Sequence, residues 1–223
     1  MNDPTFSSQR ERMVRWQIER RGISTPRVLA AFRSVPRHCF VRREDWPDAY
    51  EDRPLPIGLG QTISQPYIVA LMTDLLRLQG GETVLEIGTG SGYQAAILSL
   101  LAGQVHTVER HELLAERARQ ALEALEALEL RNVTVHTADG SLGWPEAAPY
   151  GGILVTAAAP AVPAPLLEQL AEGGRLVLPV GPSGYQVLQV WQREGGTWTH
   201  EDVIPVAFVP LRGQYGWDEE KPE

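Results

Sequence analysis

The chain has 223 residues, of which 43% are hydrophobic, 22% charged and 7% aromatic, the composition of an ordinary globular protein. Its apolar runs fall far short of the roughly 20 residues that cross a bilayer, which excludes a membrane-spanning helix. The formal net charge of −8 argues against a general nucleic-acid binder, because contacts with phosphates require a surplus of basic residues.

The start of the chain and its cysteine content indicate the compartment. Residues 1–12 are polar and charged, which is not the pattern of a signal peptide. Cys39 is the single cysteine, so it cannot form an internal disulfide, as is usual in a reducing compartment. We therefore predict a soluble, cytoplasmic protein without a membrane or nucleic-acid partner.

Two helices are predicted before the main alternating pattern. Residues 9–21 form an amphipathic pattern that ends at Gly22, the residue type that commonly follows a helix. Thr25 offers a capping side chain and Pro26 the fixed φ of a first helical position, which predicts a short helix up to Val35. Prolines and glycines then crowd residues 44–65, which predicts a long irregular segment, and such segments are often functional.

From residue 66 the pattern alternates between helix and strand. Helices are predicted over 66–78, 93–101, 111–130 and 165–170. Strands rich in β-branched residues are predicted over 83–87, 104–108, 133–137, 153–156 and 175–179. This alternation indicates parallel βαβ units in a doubly wound α/β sheet.

The last part of the chain changes character. Residues 186–192, the turn at Gly195 and Gly196, and the residues from Thr197 onward predict an antiparallel hairpin at the edge of the sheet. The predicted fold is thus α/β, with a doubly wound, mostly parallel sheet, N-terminal helices and a C-terminal antiparallel hairpin. We predict a single domain over residues 1–223, divided into helices and loop (1–65), α/β core (66–180), hairpin region (181–217) and tail (218–223).

A glycine-rich turn follows the first strand of the core. The sequence Glu86-Ile-Gly88-Thr-Gly90-Ser91-Gly92 allows a sharp strand-to-helix turn and a close approach of the backbone to a ligand. Glu109 follows the next strand, where an acid can accept hydrogen bonds from ribose hydroxyls. Asp139 and Gly140 follow the third strand, on the same rim, where they are candidates to meet an adenine edge. The plainer alternatives are a solvated loop acid for Glu109 and an ordinary turn for Asp139-Gly140.

The acidic rim indicates which nucleotide binds. Tyr93 takes the place of the third glycine of the dinucleotide fingerprint, and no P-loop lysine is present. Glu86 would repel a pyrophosphate but suits the amino group of a methionine moiety. S-adenosylmethionine carries a sulfonium and an ammonium and no phosphate. It is therefore the cofactor that the residues favour.

Three stretches together resemble the protein-L-isoaspartate O-methyltransferase family, which has a Rossmann-like class I methyltransferase fold. They are residues 55–67 (LPIGLGQTISQPY), 84–94 (VLEIGTGSGYQ) and 149–181, which contains ILVTAAAP and GGRLVLPVG. Residues 209–211 (VPL) also look like the family. The second stretch is common among methyltransferases, whereas the first is much more specific.

The resemblance implies a function and its residues. It implies transfer of a methyl group from S-adenosylmethionine to the α-carboxylate of L-isoaspartyl residues in damaged proteins, with a methyl ester that closes to a succinimide and reopens partly as aspartate. It implies Ser64 as the active-site residue of a loop that touches cofactor and substrate. The cofactor-binding residues that we predict from the turn, the rim and the resemblance are Thr62, Ile63, Glu86, Gly88, Gly90, Ser91, Glu109, Arg110, Asp139 and Gly140.

Ser64 has a purely structural alternative, because serine is a preferred helix N-cap and a helix follows. Pro66 favours the first helical position, however, which would make Gln65 the cap and leave Ser64 free to face a ligand. No metal is predicted, since the five histidines show no metal-type spacing, and no Ser/His/Asp set is legible.

The residues alone leave three rival functions open. One is a methyltransferase that acts on a small molecule or RNA, which would keep the 84–140 core without needing the 55–67 loop. The others are a nicotinamide dehydrogenase and a nucleotide-binding module without catalysis. For the favoured function, the expected partners are proteins and peptides that contain isoaspartyl residues, and the chain is expected to be a monomer.

Overall fold

The computed structural model of the protein describes residues 4–125, 128 and 130–218. Its helices are α1 (Pro4–Met13), α2 (Pro26–Ser34), α3 (Pro66–Leu75), α4 (Tyr93–Ser99), α5 (Glu112–Glu123) and α6 (Ala164–Glu168). Its strands are β1 (Leu55–Gly58), β2 (Gln61–Ile63), β3 (Thr83–Ile87), β4 (Gln104–Glu109), β5 (Val133–Thr137), β6 (Tyr150–Val155), β7 (Leu170–Val180), β8 (Gln186–Glu194) and β9 (Thr197–Val206).

A seven-stranded sheet forms the centre of the structure, in the order β5-β4-β3-β6-β7-β8-β9. Strands β3 to β7 are parallel, and β8 and β9 run antiparallel to their neighbours. In the register, Leu85 of β3 lies between His106 of β4 and Ile153 of β6. The predicted α/β class, the mostly parallel sheet and the C-terminal hairpin are confirmed.

The two faces of the sheet bury alternate residues of each strand. On one face Val84 packs with Met72 of α3 and Leu98 of α4. On the other face Leu85 packs with Leu166 of α6. Burial on both faces explains why the core strands have almost continuous apolar runs.

The order of the strands creates a switch point. From β3 the chain moves outward to β4 and β5, then returns to the other side of β3 for β6 and β7. Crossovers therefore leave the carboxyl ends of β3 and β6 in opposite directions and open a crevice between them. In open α/β sheets, ligands bind at this point.

The N-terminal helix differs from the prediction. It begins at Pro4, earlier than predicted, and after α1 it widens into a π turn at Val14–Ile18 and then tightens into a 3-10 turn at Glu19–Arg21. The wider π turn keeps Val14 and Ile18 on one face, and both are fully buried. Gly22 ends the segment with a φ of 98°, as predicted from its missing side chain.

Residues 44–65 are less irregular than predicted. A 3-10 helix covers Arg43–Asp48, and β1 and β2 form a small antiparallel sheet of their own. Alternate residues of β1 are buried, and burial of Leu55 and Ile57 explains why a proline-rich segment still adopts strand geometry. This hairpin carries the chain to Ser64.

Several other bounds also shift. Strand β7 begins at Leu170 and not at residue 175, because the fully buried Leu170 pairs with Tyr150 across an irregular step in the register. Helix α3 stops at Leu75, before the predicted end, and the chain turns at Arg77 with a φ of 53°. Helix α5 ends at Glu123; residues 126, 127 and 129 of its predicted continuation, and 219–223 of the predicted tail, lie outside the described residues.

Among the described residues, no helix combines the length and the apolar character that a membrane crossing requires.

Candidate active site

The glycine-rich turn lies at the switch point, where β3 and β6 approach closely. The Thr156 hydroxyl, just after β6, donates a hydrogen bond to the carbonyl of Gly88 at 2.7 Å and contacts the Ile87 carbonyl at 3.1 Å. Gly88 has a φ of 94°, and a Cβ there would collide with that hydroxyl. Position 88 therefore requires glycine both for its backbone conformation and for the contact between strands.

Glu109 ends β4 and is only 5% exposed. Its Oε2 accepts a hydrogen bond from the Gly90 N–H and its Oε1 accepts one from the His111 N–H, both at 2.9 Å. These bonds fix the carboxylate against the glycine-rich turn, and each oxygen keeps capacity for a further donor. The structure thus places Glu109 in the wall of a cavity and not in a solvated loop.

Glu86 is a fully buried acid at the end of β3. Both carboxylate oxygens lack a hydrogen-bond partner among the described residues. Burial raises the pKa of the Glu86 carboxyl to about 8. The nearby Thr107 hydroxyl lowers this pKa and the negative charge of Glu109 raises it, both by less than burial does. A buried carboxyl without a partner is costly, which indicates a site built for a donor or a cation from outside the protein.

Asp139 and Gly140 differ in their relation to the cavity, since only Gly140 lines it. The Asp139 carboxylate accepts hydrogen bonds from the N–H and the hydroxyl of Ser141 and from the N–H of Gln214. It therefore caps the short 3-10 turn that begins at Gly140 and holds the C-terminal segment to that turn, as the plain-turn alternative expects. Gly140 lines the cavity, and a Cβ there would collide with Ile87.

Ser64 lies between β2 and α3. Pro66 is the first residue of α3 and Gln65 its N-cap, as predicted, and the cap makes no side-chain hydrogen bond to the helix. Instead the Asp52 carboxylate accepts from the Tyr67 N–H at 3.1 Å and from the Gln65 amide at 2.8 Å. Asp52 thus satisfies a donor of the first turn, so Ser64 is not the cap. Within the described part of the chain, the Ser64 hydroxyl has no hydrogen-bond partner.

Three adjoining cavities form one cleft along the carboxyl ends of the strands. The rim cavity is lined by Glu109, Arg110, Gly140 and residues 209–212, and the inner cavity by Glu86, Ser91, Tyr93, Ile63 and Ser64. The outer cavity is lined by Ser64, Ile68, Tyr185, Phe208 and their neighbours. Thr62 and Thr156 line all three cavities, which makes the cleft continuous.

Ten of the eleven predicted site residues line this cleft. Gly88 and Gly90 line both the rim and inner cavities, and Ser64 lies where the inner and outer cavities meet. Asp139 lies outside the cavity walls. The prediction did not include Thr156, which as a polar residue at the end of a buried parallel strand carried a usable signal, or the segment 209–212.

The two ends of the cleft differ in charge. The rim cavity has Glu109 together with Arg110 and Arg212, and the inner cavity has the acid Glu86, whereas none of the described residues that line the outer cavity is charged. The outer cavity has a volume of about 590 Å³, enough for a short segment of a larger ligand. The described residues contain no group of three or more histidine, cysteine, aspartate or glutamate side chains able to hold a metal ion. The arrangement suits a cationic group beside Glu86 in the inner cavity and an uncharged or anionic ligand in the outer cavity.

Comparisons with known proteins point to one family. A family model described as protein-L-isoaspartate(D-aspartate) O-methyltransferase matches residues 8–216. A protein-L-isoaspartate O-methyltransferase of Trichlorobacter lovleyi is 56% identical over 213 residues, which cover 95% of this chain and 97% of that protein. One from Methanospirillum hungatei is 54% identical and covers 96% of this chain and 97% of its own length.

Solved structures are similar as well. A structure described as protein-L-isoaspartate O-methyltransferase superposes with a TM-score of 0.82 at 30% identity, over 93% of this chain and 67% of the other. A structure from Plasmodium falciparum, described as a complex of such a protein with S-adenosyl-L-homocysteine, has a TM-score of 0.79 over 95% of this chain and 99% of the other. At 24% sequence identity, this similarity supports the fold alone.

Proposed function

Because the chain belongs to the protein-L-isoaspartate(D-aspartate) O-methyltransferase family, we propose that the cleft around Ser64 brings the methyl donor and the isoaspartyl carboxylate together. The protein transfers a methyl group from S-adenosylmethionine to the α-carboxylate of L-isoaspartyl residues in damaged proteins and peptides, the first step of their repair. The family assignment replaces the rival interpretations as an RNA or small-molecule methyltransferase, a dehydrogenase or a non-catalytic module.

The proposal divides the cleft in two. The cofactor takes the rim and inner cavities, where Glu109 suits ribose hydroxyls and the partnerless Glu86 suits an ammonium group. The damaged peptide takes the outer cavity. One observation carries this division: Ser64 lines both the inner and the outer cavity, at their junction. Thr62 and Ile63 lead into that junction from β2.

The chemistry needs few groups from the protein. Bound S-adenosylmethionine supplies an electrophilic methyl group. The attacking group is an α-carboxylate with a usual pKa of about 3.3–3.7, so it is already ionised at pH 7 and no general base is required. Ser64 donates a hydrogen bond that orients the carboxylate, and the hairpin β1–β2 with Thr62 excludes water. Catalysis then rests on proximity and orientation, which are worth roughly 7–11 kcal/mol in good cases.

Replacing Glu109 by alanine (Glu109→Ala) is expected to weaken S-adenosylmethionine binding by about 1–3 kcal/mol, the cost of a lost hydrogen-bond acceptor whose partners stay unsatisfied. Calorimetric titration measures the affinity, and KM for the peptide at saturating cofactor should stay the same. Glu112→Ala is the matched control, because Glu112 is an exposed acid in the first turn of α5, three residues away. Equal affinities of the Glu109→Ala variant and the unchanged protein would remove Glu109 from the cofactor site.

Glu86 makes cofactor binding depend on pH. The pKa of Glu86 is about 8 in the folded protein without cofactor, above the usual 4.5. Between these two pH values the folded protein holds a proton that the unfolded chain releases, so the free energy of unfolding falls as pH rises from about 4.5 to 8. An ammonium group beside Glu86 favours the ionised carboxylate. We therefore expect release of roughly one proton per cofactor bound at pH 7. Calorimetry in buffers of different ionisation enthalpy measures it, and Glu86→Gln should abolish it. A binding enthalpy independent of the buffer would contradict this role.

We also propose that the protein acts as a single-domain monomer in the cytoplasm. The single cysteine, Cys39, is half-buried, and burial raises the pKa of its thiol, which keeps it in the inert protonated form suited to a reducing compartment.

A further inference from the structure

Arg37 is a fully buried arginine that has no ion pair within the described residues. It lies in the 3-10 helix Arg37–Phe40, remote in sequence from the glycine-rich turn. Its Nε donates a hydrogen bond to the Ala49 carbonyl at 2.9 Å, and its Nη2 donates one to the Ser64 carbonyl at 2.7 Å. Nη1 has no hydrogen-bond partner in the part of the chain that the structure describes. Burial lowers the pKa of the guanidinium to about 10, so it is still charged at pH 7.

Stability alone gives a poor reason for this residue. Taking a cation out of water is expensive, and neutral carbonyls compensate it only in part. An apolar side chain of similar volume would remove this buried charge, although it would also take away the donors to the Ala49 and Ser64 carbonyls. What the guanidinium does supply is geometry, because its planar fork fixes the directions of its donors and so the relative positions of the two carbonyls.

The guanidinium of Arg37 also packs beside the inner cavity of the cleft. The Arg37 guanidinium lies 5.0 Å from the centroid of the Tyr93 ring. Tyr93 is the first residue of α4, directly after the glycine-rich turn, and it lines the inner cavity. Phe32 and Phe40 pack edge-on against the same ring. Arg37 therefore connects the main chain of Ser64 to a rigid aromatic cluster beside the cofactor cavity.

We propose that Arg37 is a positioning residue for Ser64, whose carbonyl it holds so that the hydroxyl stays at the junction of the inner and outer cavities. The proposal rests on the proposed role of Ser64. Asp52 secures the following residues, Gln65 and Tyr67, so the chain is fixed on both sides of the hydroxyl. Where catalysis depends on alignment, a displacement near 1 Å costs on the order of a hundredfold in rate.

The test compares Arg37→Met with the unchanged protein. We expect kcat with an isoaspartyl peptide to fall about ten- to a hundredfold in the folded protein, while cofactor affinity changes less than about twofold. The thermal midpoint is measured alongside and gives the folded fraction at the assay temperature. Arg27→Met is the matched control, because Arg27 also donates to two main-chain carbonyls, those of Leu78 and Leu101, away from the cleft. That variant should keep the kcat of the unchanged protein.

A double-mutant cycle separates positioning from a general effect on the fold. If Arg37 acts through Ser64, Arg37→Met should lower kcat by less than about threefold once Ser64→Ala is in place, since coupled residues are not additive. The proposal is overturned if Arg37→Met lowers kcat by the same factor with and without Ser64→Ala. It is also overturned if kcat falls only in proportion to the folded fraction. If Ser64→Ala alone leaves kcat unchanged, the proposed role of Ser64 fails, and the inference fails with it.

A second variant covers the case in which Arg37→Met does not fold. Arg37→Lys keeps the charge but has a single donor centre, which cannot reproduce the fork to Ala49 and Ser64. It should fold and lose part of kcat, and the loss should again shrink in the Ser64→Ala background. If neither variant folds, Arg37 is required for the fold itself, and the positioning role is rejected.

Discussion

Ser64→Ala is expected to lower kcat for an isoaspartyl peptide by about a hundredfold, the cost of losing one hydrogen-bond donor or about 1 Å of alignment at a reacting group. The free energy of unfolding should change by less than about 0.5 kcal/mol, as at positions without a structural role. A capping serine would instead lose about 0.5–2 kcal/mol on this change. The structure favours the first outcome, because Asp52 and not Ser64 accepts from the first turn of α3.

Initial rates and urea unfolding measure the two quantities separately. Ser34→Ala is a suitable control, since Ser34 is an exposed serine at the end of α2 whose hydroxyl bonds only the preceding turn. That control should keep both activity and stability. If activity in Ser64→Ala falls only in proportion to the folded fraction, Ser64 is structural and its catalytic role is lost.

A pair of peptides that differ only in an isoaspartyl or an aspartyl residue should be labelled very unequally by methyl-labelled cofactor. The two carboxylates are equally ionised but differ by one methylene in reach, so discrimination must come from geometry. The hairpin β1–β2 follows Pro54 and contains Pro56, which limit its freedom. Arg37 holds the Ser64 carbonyl and Asp52 holds the next residue, Gln65, so we expect the loop to be rigid enough to distinguish the two peptides. We expect the aspartyl peptide to react at least about a hundredfold more slowly.

The chemical stability of the product provides the control. A carboxyl methyl ester releases its label as methanol in mild base, whereas a methylated nitrogen keeps it. A third peptide with asparagine at the same position should stay unlabelled, because it has no carboxylate to attack. Equal labelling of the isoaspartyl and aspartyl peptides, or a base-stable label, would contradict the assigned specificity while leaving the methyltransferase fold intact.

The parts of the structure that the sequence predicted depend on neighbours along the chain. Strands β3 to β7 were predicted because each contains a short run rich in β-branched and aliphatic residues between helical segments, a pattern that is readable even in the only partly buried edge strand β5. Gly88 was predicted because only glycine tolerates its backbone conformation at the end of a strand. Glu109 followed from its place directly after β4, on the rim that parallel strands share.

The parts that escaped prediction depend on contacts between distant segments. Arg37 resembles any surface arginine in the sequence, and only the fold shows that it is buried against Ser64, 27 residues later. Asp52 caps a helix that begins fourteen residues further on, beyond the reach of any local capping pattern. That Asp139 faces the cofactor stays a prediction, while its carboxylate accepts hydrogen bonds from Ser141 and Gln214. Local patterns do not encode such pairings.

The walls of the rim cavity begin at Gln61 and end at Arg212. The chain is synthesised from its N-terminus, so the glycine-rich turn leaves the ribosome long before residues 209–212. Those residues complete the wall of the rim cavity. A nascent chain that stops short of residue 212 therefore lacks a complete pocket for the methyl donor. Since a ligand stabilises only the state that binds it, we expect S-adenosylmethionine to raise the thermal midpoint of the full chain and not that of a chain that ends before residue 209.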